Sequence, residues 1–316
     1  LLYGIIEGPA KGWSDTAVVA GFVVGVSALL GFVMWELRSS HPMLDVHVFK
    51  NPRFTAASST ITITFFALFG SLFLMTQYWQ LVHGYSPLEA GIRLLPHALT
   101  MMIMAPLSAR FVERFGTKRV VTTGLCLIAT GLFLLSTIEP QSPYPVVISF
   151  FVVMASGMAM TMAPATESVM GSLPRSKAGV GSAVNDTTRQ VGGALGVAVI
   201  GSVVSSLYAA SVADSGPSFG LSASELDKAE SSLGGALAIA PSLGDEARSF
   251  VDTVNNAFVD SLSAGLRISM VFILGAAVLT WRFLPAREKS HGDETAEELA
   301  DEPFVDTAIT AAVAAD

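Results

Sequence analysis

Charged side chains make up only 14% of the 316 residues, so the few inside long apolar runs are the ones whose chemistry needs explaining. Arg189 lies within the run 181–207 and shares a helical face with Asn185 and Gly193. A charge at bilayer depth is costly unless paired or hydrated, which makes Arg189 a candidate for a substrate or proton pathway. The competing reading puts the membrane boundary near Arg189, where the side chain would snorkel to lipid phosphates or hold Asp186. Glu89, Arg93 and His97 recur at i, i+4 and i+8. Such a row either lines an aqueous cavity, with His97 titrating near neutral pH, or forms an interfacial ion pair beside a packed histidine. Phe65, Phe69 and Phe73 repeat that spacing, and Met101, Met102 and Met104 precede a second set at Met158, Met160 and Met162. Aromatic and thioether surfaces adapt to varied lipophilic molecules, although the same stripes also serve as core or lipid-facing surface. Glu167, near the end of its apolar run, is a further proton-site candidate. No nucleophile is paired with a base, no ligands are spaced for a metal and no phosphate loop appears, so neither an enzyme nor a bound metal or cofactor is expected. The cations are spread among loops without an aromatic nucleic-acid face. Cys126, the single cysteine, excludes an internal disulfide and reads as packing.

The elements that must hold these residues are membrane helices. The chain is 51% hydrophobic with a mean hydropathy of +0.57, whereas a soluble domain carries about a quarter charged residues. Runs of about 20 apolar residues cross a bilayer core as helices, and seven occur, at 16–35, 54–79, 88–108, 120–138, 146–165, 181–207 and 262–284. Residues 1–6 read as the end of a further apolar helix, broken at Glu7-Gly8-Pro9, with 7–15 as a turn carrying Trp13. Residues 41–53 are too short to span and read as a surface-lying linker. Between two spans, residues 109–119 form a charged turn, with Gly116 supplying a backbone conformation open to glycine. Residues 208–261 are Ser/Ala/Gly-rich. Ser222 and Glu225 there form a capping box that opens a helix towards Ile239, and 244–260 holds a second helix. This segment reads as a loose, partly helical outer loop, with a lid over the outer mouth as the alternative. When the spans alternate in direction, 12 of the 18 cations collect on one side: Arg38, Lys50, Arg53, Arg110, Arg114, Lys118, Arg119, Arg175, Lys177, Arg282, Arg287 and Lys289. An excess of Lys and Arg marks the cytoplasmic face, so the C-terminus is expected in the cytosol. Nine of the acids fall in 288–316 against Lys289 alone, which accounts for the net charge of −8. Residues 285–316 therefore read as a disordered acidic tail and say nothing about a cationic substrate.

Two stretches carry a family resemblance. Ala109, Glu113, Arg114, Gly116, Lys118 and Arg119 resemble the G-x-x-x-D-R-x-G-R-K/R loop of the major facilitator superfamily, with Ala109 for Gly, Glu113 for Asp and Thr117 for the first basic residue. Residues 178–198, with Asn185, Arg189, Gln190, Gly192, Gly193 and Gly196, are similar to the penultimate span of that superfamily's fourteen-span drug:proton antiporter branch, the EmrB/QacA type. Asp186 stands where that branch more often has Asn. Glu7-Gly8-Pro9, Gly12-Trp13, the stretch 49–54, and Gln80, Gly84, Tyr85, Ser86, Pro87, Ala90, Gly91, Leu95 and Pro96 resemble the same branch.

The resemblance implies an all-α integral membrane fold, the C-terminal six-helix half of a major facilitator plus linker helices. Residues 1–53 would be linker, 54–284 the six-helix half with its outer loop, and 285–316 the tail. It implies proton-coupled efflux of drugs or other lipophilic molecules across the plasma membrane by alternating access. Glu113, Arg114, Gly116, Lys118 and Arg119 would form the cytoplasmic gating loop. The pathway candidates are Arg189, Asn185, Asp186, Glu89, Arg93, His97 and Phe69, while Gly192, Gly193 and Gly196 would serve helix packing. Expected partners are the lipophilic substrate, protons, the bilayer and an N-terminal half of the same protein, because residue 1 is not Met and residues 1–6 read as the end of an apolar helix and not as a signal peptide. Alternatives are export of a native metabolite (antibiotic, siderophore or lipid) and a non-transporting membrane scaffold or sensor.

Overall fold

A computed structural model describes residues 1–39, 42, 46–174 and 177–284. Among them are seven helical stretches long and apolar enough to cross a membrane, and no strand. The first helix, α1 (Leu2–Lys11), continues past the expected break and through Pro9. Lys11 clips back one turn onto Glu7 at 3.1 Å and onto the Tyr3 hydroxyl at 3.0 Å, so the turn is confined to Gly12–Asp15. Asp15 then caps α2 (Thr16–Arg38) by accepting from the Ala17 and Val18 amides, satisfying donors that the first helical turn leaves free. Most of α2 is exposed, as an apolar helix meant for lipid should be. Residues Val46–Lys50 form one short 3₁₀ turn, in keeping with a linker too short to span.

The remaining helices make a bundle. Helix α3 (Pro52–Gln77) runs into a π-helical turn, Tyr78–Val82. After it, α4 (Pro87–Arg93) and α5 (Leu95–Phe115) are separated at Leu94, because Pro96 cannot donate into the preceding turn. Helix α6 (Thr117–Leu135) packs most extensively on α7 (Tyr144–Met170), and α8 (Ala178–Ser215) on α3. Core side chains between them include Leu125, Leu132, Phe151 and Met154. Cys126, expected inside, is instead exposed on α6.

The charged turn contracts to one residue. Helix α5 reaches Phe115 and α6 starts at Thr117, so only Gly116 lies between, at φ +83° and ψ 153°. The flanking cations consequently project from helix ends rather than from a loop.

The largest departure from the sequence reading is in 208–261. Helix α8 continues to Ser215 and α11 (Ala247–Phe283) begins well before the expected span, leaving only 216–246 between them. That segment holds α9 (Ala223–Ser231), opened by the Ser222/Glu225 capping box, and α10 (Leu233–Ile239). Leu233, Ala236 and Ile239 are buried with Phe250 and Phe258 in the common core, so the segment is a packed cap and not a loose loop. The structural account of the tail beyond Leu284, and of Arg175, Arg287 and Lys289, falls outside the described residues.

Close approach of α3 and α8 depends on two glycines. A Cβ at Gly192 would overlap the Thr62 carbonyl oxygen, and one at Gly196 the Phe66 carbonyl oxygen, both backbone atoms that cannot swing aside. Gly196→Val is therefore expected to cost about 2–3 kcal/mol through overpacking, read as a lower midpoint in detergent unfolding. Gly179→Ala, on the same helix but facing open space, should stay within about 1 kcal/mol of the parent.

Candidate functional site

The α3–α8 contact positions Arg189, a cation inside one of the helices long and apolar enough to cross a membrane. Arg189 is half-buried. Its Nη2 donates to the Thr166 hydroxyl at 3.0 Å, and its guanidinium lies 5.4 Å from the Phe65 ring centroid. Thr166 gives its own proton to the Met162 carbonyl at 2.9 Å, so its oxygen is free to accept. Asn185, also buried, brings its side-chain oxygen to 3.5 Å from the same hydroxyl. The Nε of Arg189 is buried with no partner, and among the described residues no carboxylate comes within ion-pair range. Asp186 does not hold Arg189; it is exposed and makes no ion pair among the described residues. A buried donor left unmade costs about 1–3 kcal/mol, and a cation in a span costs about 3 kcal/mol or more. The site therefore retains capacity for an anionic or hydrogen-bond-accepting group.

Above this centre, α3 and α8 run side by side as a ladder. Phe65 faces Arg189, Phe69 lies against Gly193 with its ring 3.1 Å from where a Cβ would sit, and Phe73 lies against Gly201. The Phe65 and Phe69 rings stack at 5.9 Å. Phe69 remains 44% exposed, so the ladder presents an aromatic edge instead of being sealed in the core.

Glu89, Arg93 and His97 do not form one cavity-lining row. The helix is interrupted at Leu94, and the Glu89 carboxylate turns back to accept from the Ser86 amide and hydroxyl as a capping box. Arg93 lies 3.8 Å above the Tyr85 ring instead of pairing with Glu89. His97 is buried against α7, its Nδ1 3.3 Å from the Phe151 carbonyl oxygen and its ring edge-on to Phe151. Of the two sequence readings, the packed histidine describes its surroundings. Glu113, Arg114 and Arg119 are exposed around Gly116, and Lys118 reaches across to the face of Trp281 on α11, 5.0 Å away. Glu167 is exposed. Thr166, the partner of Arg189, was not singled out by sequence, since a threonine bonded to the carbonyl four residues back is commonplace in a helix.

The sequence model of the Major Facilitator Superfamily matches residues 10–197, more than half of the chain. The chain belongs to the Major Facilitator Superfamily. It is 29% identical to the multidrug resistance protein Stp of Mycobacterium tuberculosis over 98% of its own length and 59% of that protein. It is 30% identical to the multidrug efflux pump LfrA of Mycolicibacterium smegmatis, covering 84% of the chain and 52% of the pump. With the tetracenomycin C resistance and export protein of Streptomyces glaucescens it shares 34% identity over 65% of the chain and 38% of that protein. The matched stretches thus span between 38% and 59% of the length of these relatives. Its fold is similar to that of a bacterial homologue of the human lysosomal transporter Spinster, solved inward-facing and unoccupied. The TM-score is 0.56 at 16% identity, covering 89% of this chain and 63% of that one.

Membership makes this superfamily chain a multi-pass membrane protein and agrees with the expectation that it is not an enzyme. A titratable histidine lies between two of its spans. His83 is packed edge-on to Tyr78 and stacked on Tyr85; burial, and then the Arg93 charge, hold its imidazole below the usual 6.5. The neutral form is the one the fold favours, so its stabilising contribution is complete above pH 6.5 and is lost as pH falls through the lowered value. Thermal midpoints measured from pH 7.5 to 5 should fall less steeply for His83→Gln than for the parent. Equal slopes would show that His83 is not the group responsible.

Proposed function

We propose that the protein containing this chain exports lipophilic small molecules by alternating access, exchanging them for protons. It would be a member of the fourteen-span drug:proton antiporter branch in the plasma membrane. In this reading residues 1–53 belong to a linker hairpin and 54–284 form one six-helix half. Residues 285–316 end in the cytosol, and the rest of a longer protein supplies the opposite half. The likeness to Stp and LfrA over most of this chain, but only part of theirs, supports that division. The excess of cations around Gly116 supports placing that end in the cytoplasm, where Glu113, Arg114, Lys118 and Arg119 act as a gate.

The observation that carries the proposal is Arg189, inside a helix apolar enough to span, held by Thr166 and backed by the Phe65–Phe69 stack, with no carboxylate of the described residues to neutralise it. A stability-driven site would have paired or removed that charge. A transport site keeps it available, here beside a surface suited to flat apolar ligands. Export of a single native metabolite is the second reading, favoured by the likeness to the tetracenomycin C exporter.

In everted vesicles carrying the whole protein, an imposed proton gradient should drive uptake of lipophilic dyes. Arg189→Ala should lower that uptake at least tenfold with unchanged expression, and Arg189→Lys should restore it only partly, because the planar fork is lost. Gradient-independent uptake would remove the antiport step. Indifference to all dyes alongside export of one compound would favour the metabolite reading.

A further inference from the structure

A second site lies away from Arg189, at the end of the bundle proposed to face outward. A partly open cavity of about 400 Å³ lies between α1, α3, α8 and α11 and is roofed on one side by the junction of α9 and α10. That volume falls within the range of small-molecule pockets. Its walls divide by chemistry. Phe73, Phe258 and Leu233 supply an apolar surface, while Gln77, Ser205 and Tyr208 supply polar groups. The Gln77 and Ser205 side chains make no hydrogen bond among the described residues, and the buried Tyr208 hydroxyl has none either. No charged side chain lines the cavity, so a charged guest would lose its hydration without gaining a counterion.

The roof is built to persist. Ser232, extended between the two short helices, caps α10 through its hydroxyl, and Leu233 next to it is anchored in the core. A space that sets aromatic surface beside unused hydrogen-bonding groups offers an amphipathic guest both kinds of contact.

We propose that this cavity binds an uncharged amphipathic molecule, its apolar body between Phe73, Phe258 and Leu233 and its hydrogen-bonding head at Gln77 and Ser205. Such a guest comes either from the bilayer, as a neutral lipid of the diacylglycerol kind, or from the water, as a neutral lipophilic compound. The site is independent of the export reading, because it is defined by binding and not by transport.

The test uses the whole protein, purified in detergent and in nanodiscs, with Nile red as a neutral, carbonyl-bearing fluorescent probe. Saturable Nile red binding is expected. Ser205→Trp, which fills the cavity from an exposed position on α8, should weaken it at least tenfold. Val191→Trp, an equal change at an exposed position of the same helix outside the cavity, should leave it unchanged. Gln77→Leu and Tyr208→Phe, which preserve bulk, should weaken it several-fold and keep the proposal testable if Ser205→Trp misfolds. Dioleoylglycerol in the nanodisc should displace the probe if the natural guest is lipid and leave it bound if the guest arrives from water; either result sustains the site. Unaltered binding in Ser205→Trp, or an equal loss in Val191→Trp, overturns it.

Discussion

Two helix backbones touching without side chains between them set the geometry of everything else in this helical bundle. Gly192 and Gly196 of α8 lie on the Thr62 and Phe66 carbonyls of α3. In lipid there is no hydrophobic effect to drive helices together, so close van der Waals contact and the interactions it permits must do so. The seam fixes the rotation of α8, and one turn below Gly193 that rotation brings Arg189 over Phe65 and within reach of Thr166 on α7. A side chain larger than hydrogen at either glycine would move the cation off its partners before it changed anything in the cation's own surroundings.

The same register, carried along the pair, produces the aromatic ladder. Phenylalanines spaced by four on α3 meet small or cationic residues spaced by multiples of four on α8, since both helices share one period and run in the same direction. The ladder links the Arg189 centre to the cavity beneath α9 and α10, with Phe73 belonging to both. One packing decision thereby creates one site with an unneutralised charge and another, further along the same helices, with none. The two are suited to different guests.

Helix number and approximate position were legible because a 20-residue apolar run has few other meanings. Gly116 was legible for a related reason, since a backbone at φ +83° admits little else. Helix ends were not. Helix α8 extends well past its apolar core into Ser- and Ala-rich sequence, which hydropathy cannot tell from a loop, and the helix expected over 244–260 proves continuous with the last span as α11. The grouping of Asn185, Arg189 and Gly193 followed from spacing within one helix. Thr166 required knowledge of which helix lies opposite, and no periodicity supplies that. The Glu89–Arg93–His97 row failed for a local reason: Pro96 interrupts the helix, and Ser86 offered Glu89 two donors nearer than the arginine.

Whether Arg189 lines a pathway or merely braces the bundle is the question on which the functional account turns. The most direct measurement is accessibility of a cysteine at that position, Arg189→Cys combined with Cys126→Ser, to a charged, membrane-impermeant thiol reagent applied from either side. The account expects labelling from the cytoplasmic side, slowed when a transported lipophile is present. Failure to label from both sides, with Cys126 in the parent as the reactivity control in detergent, would contradict a water-accessible pathway and leave Arg189 as a structural brace.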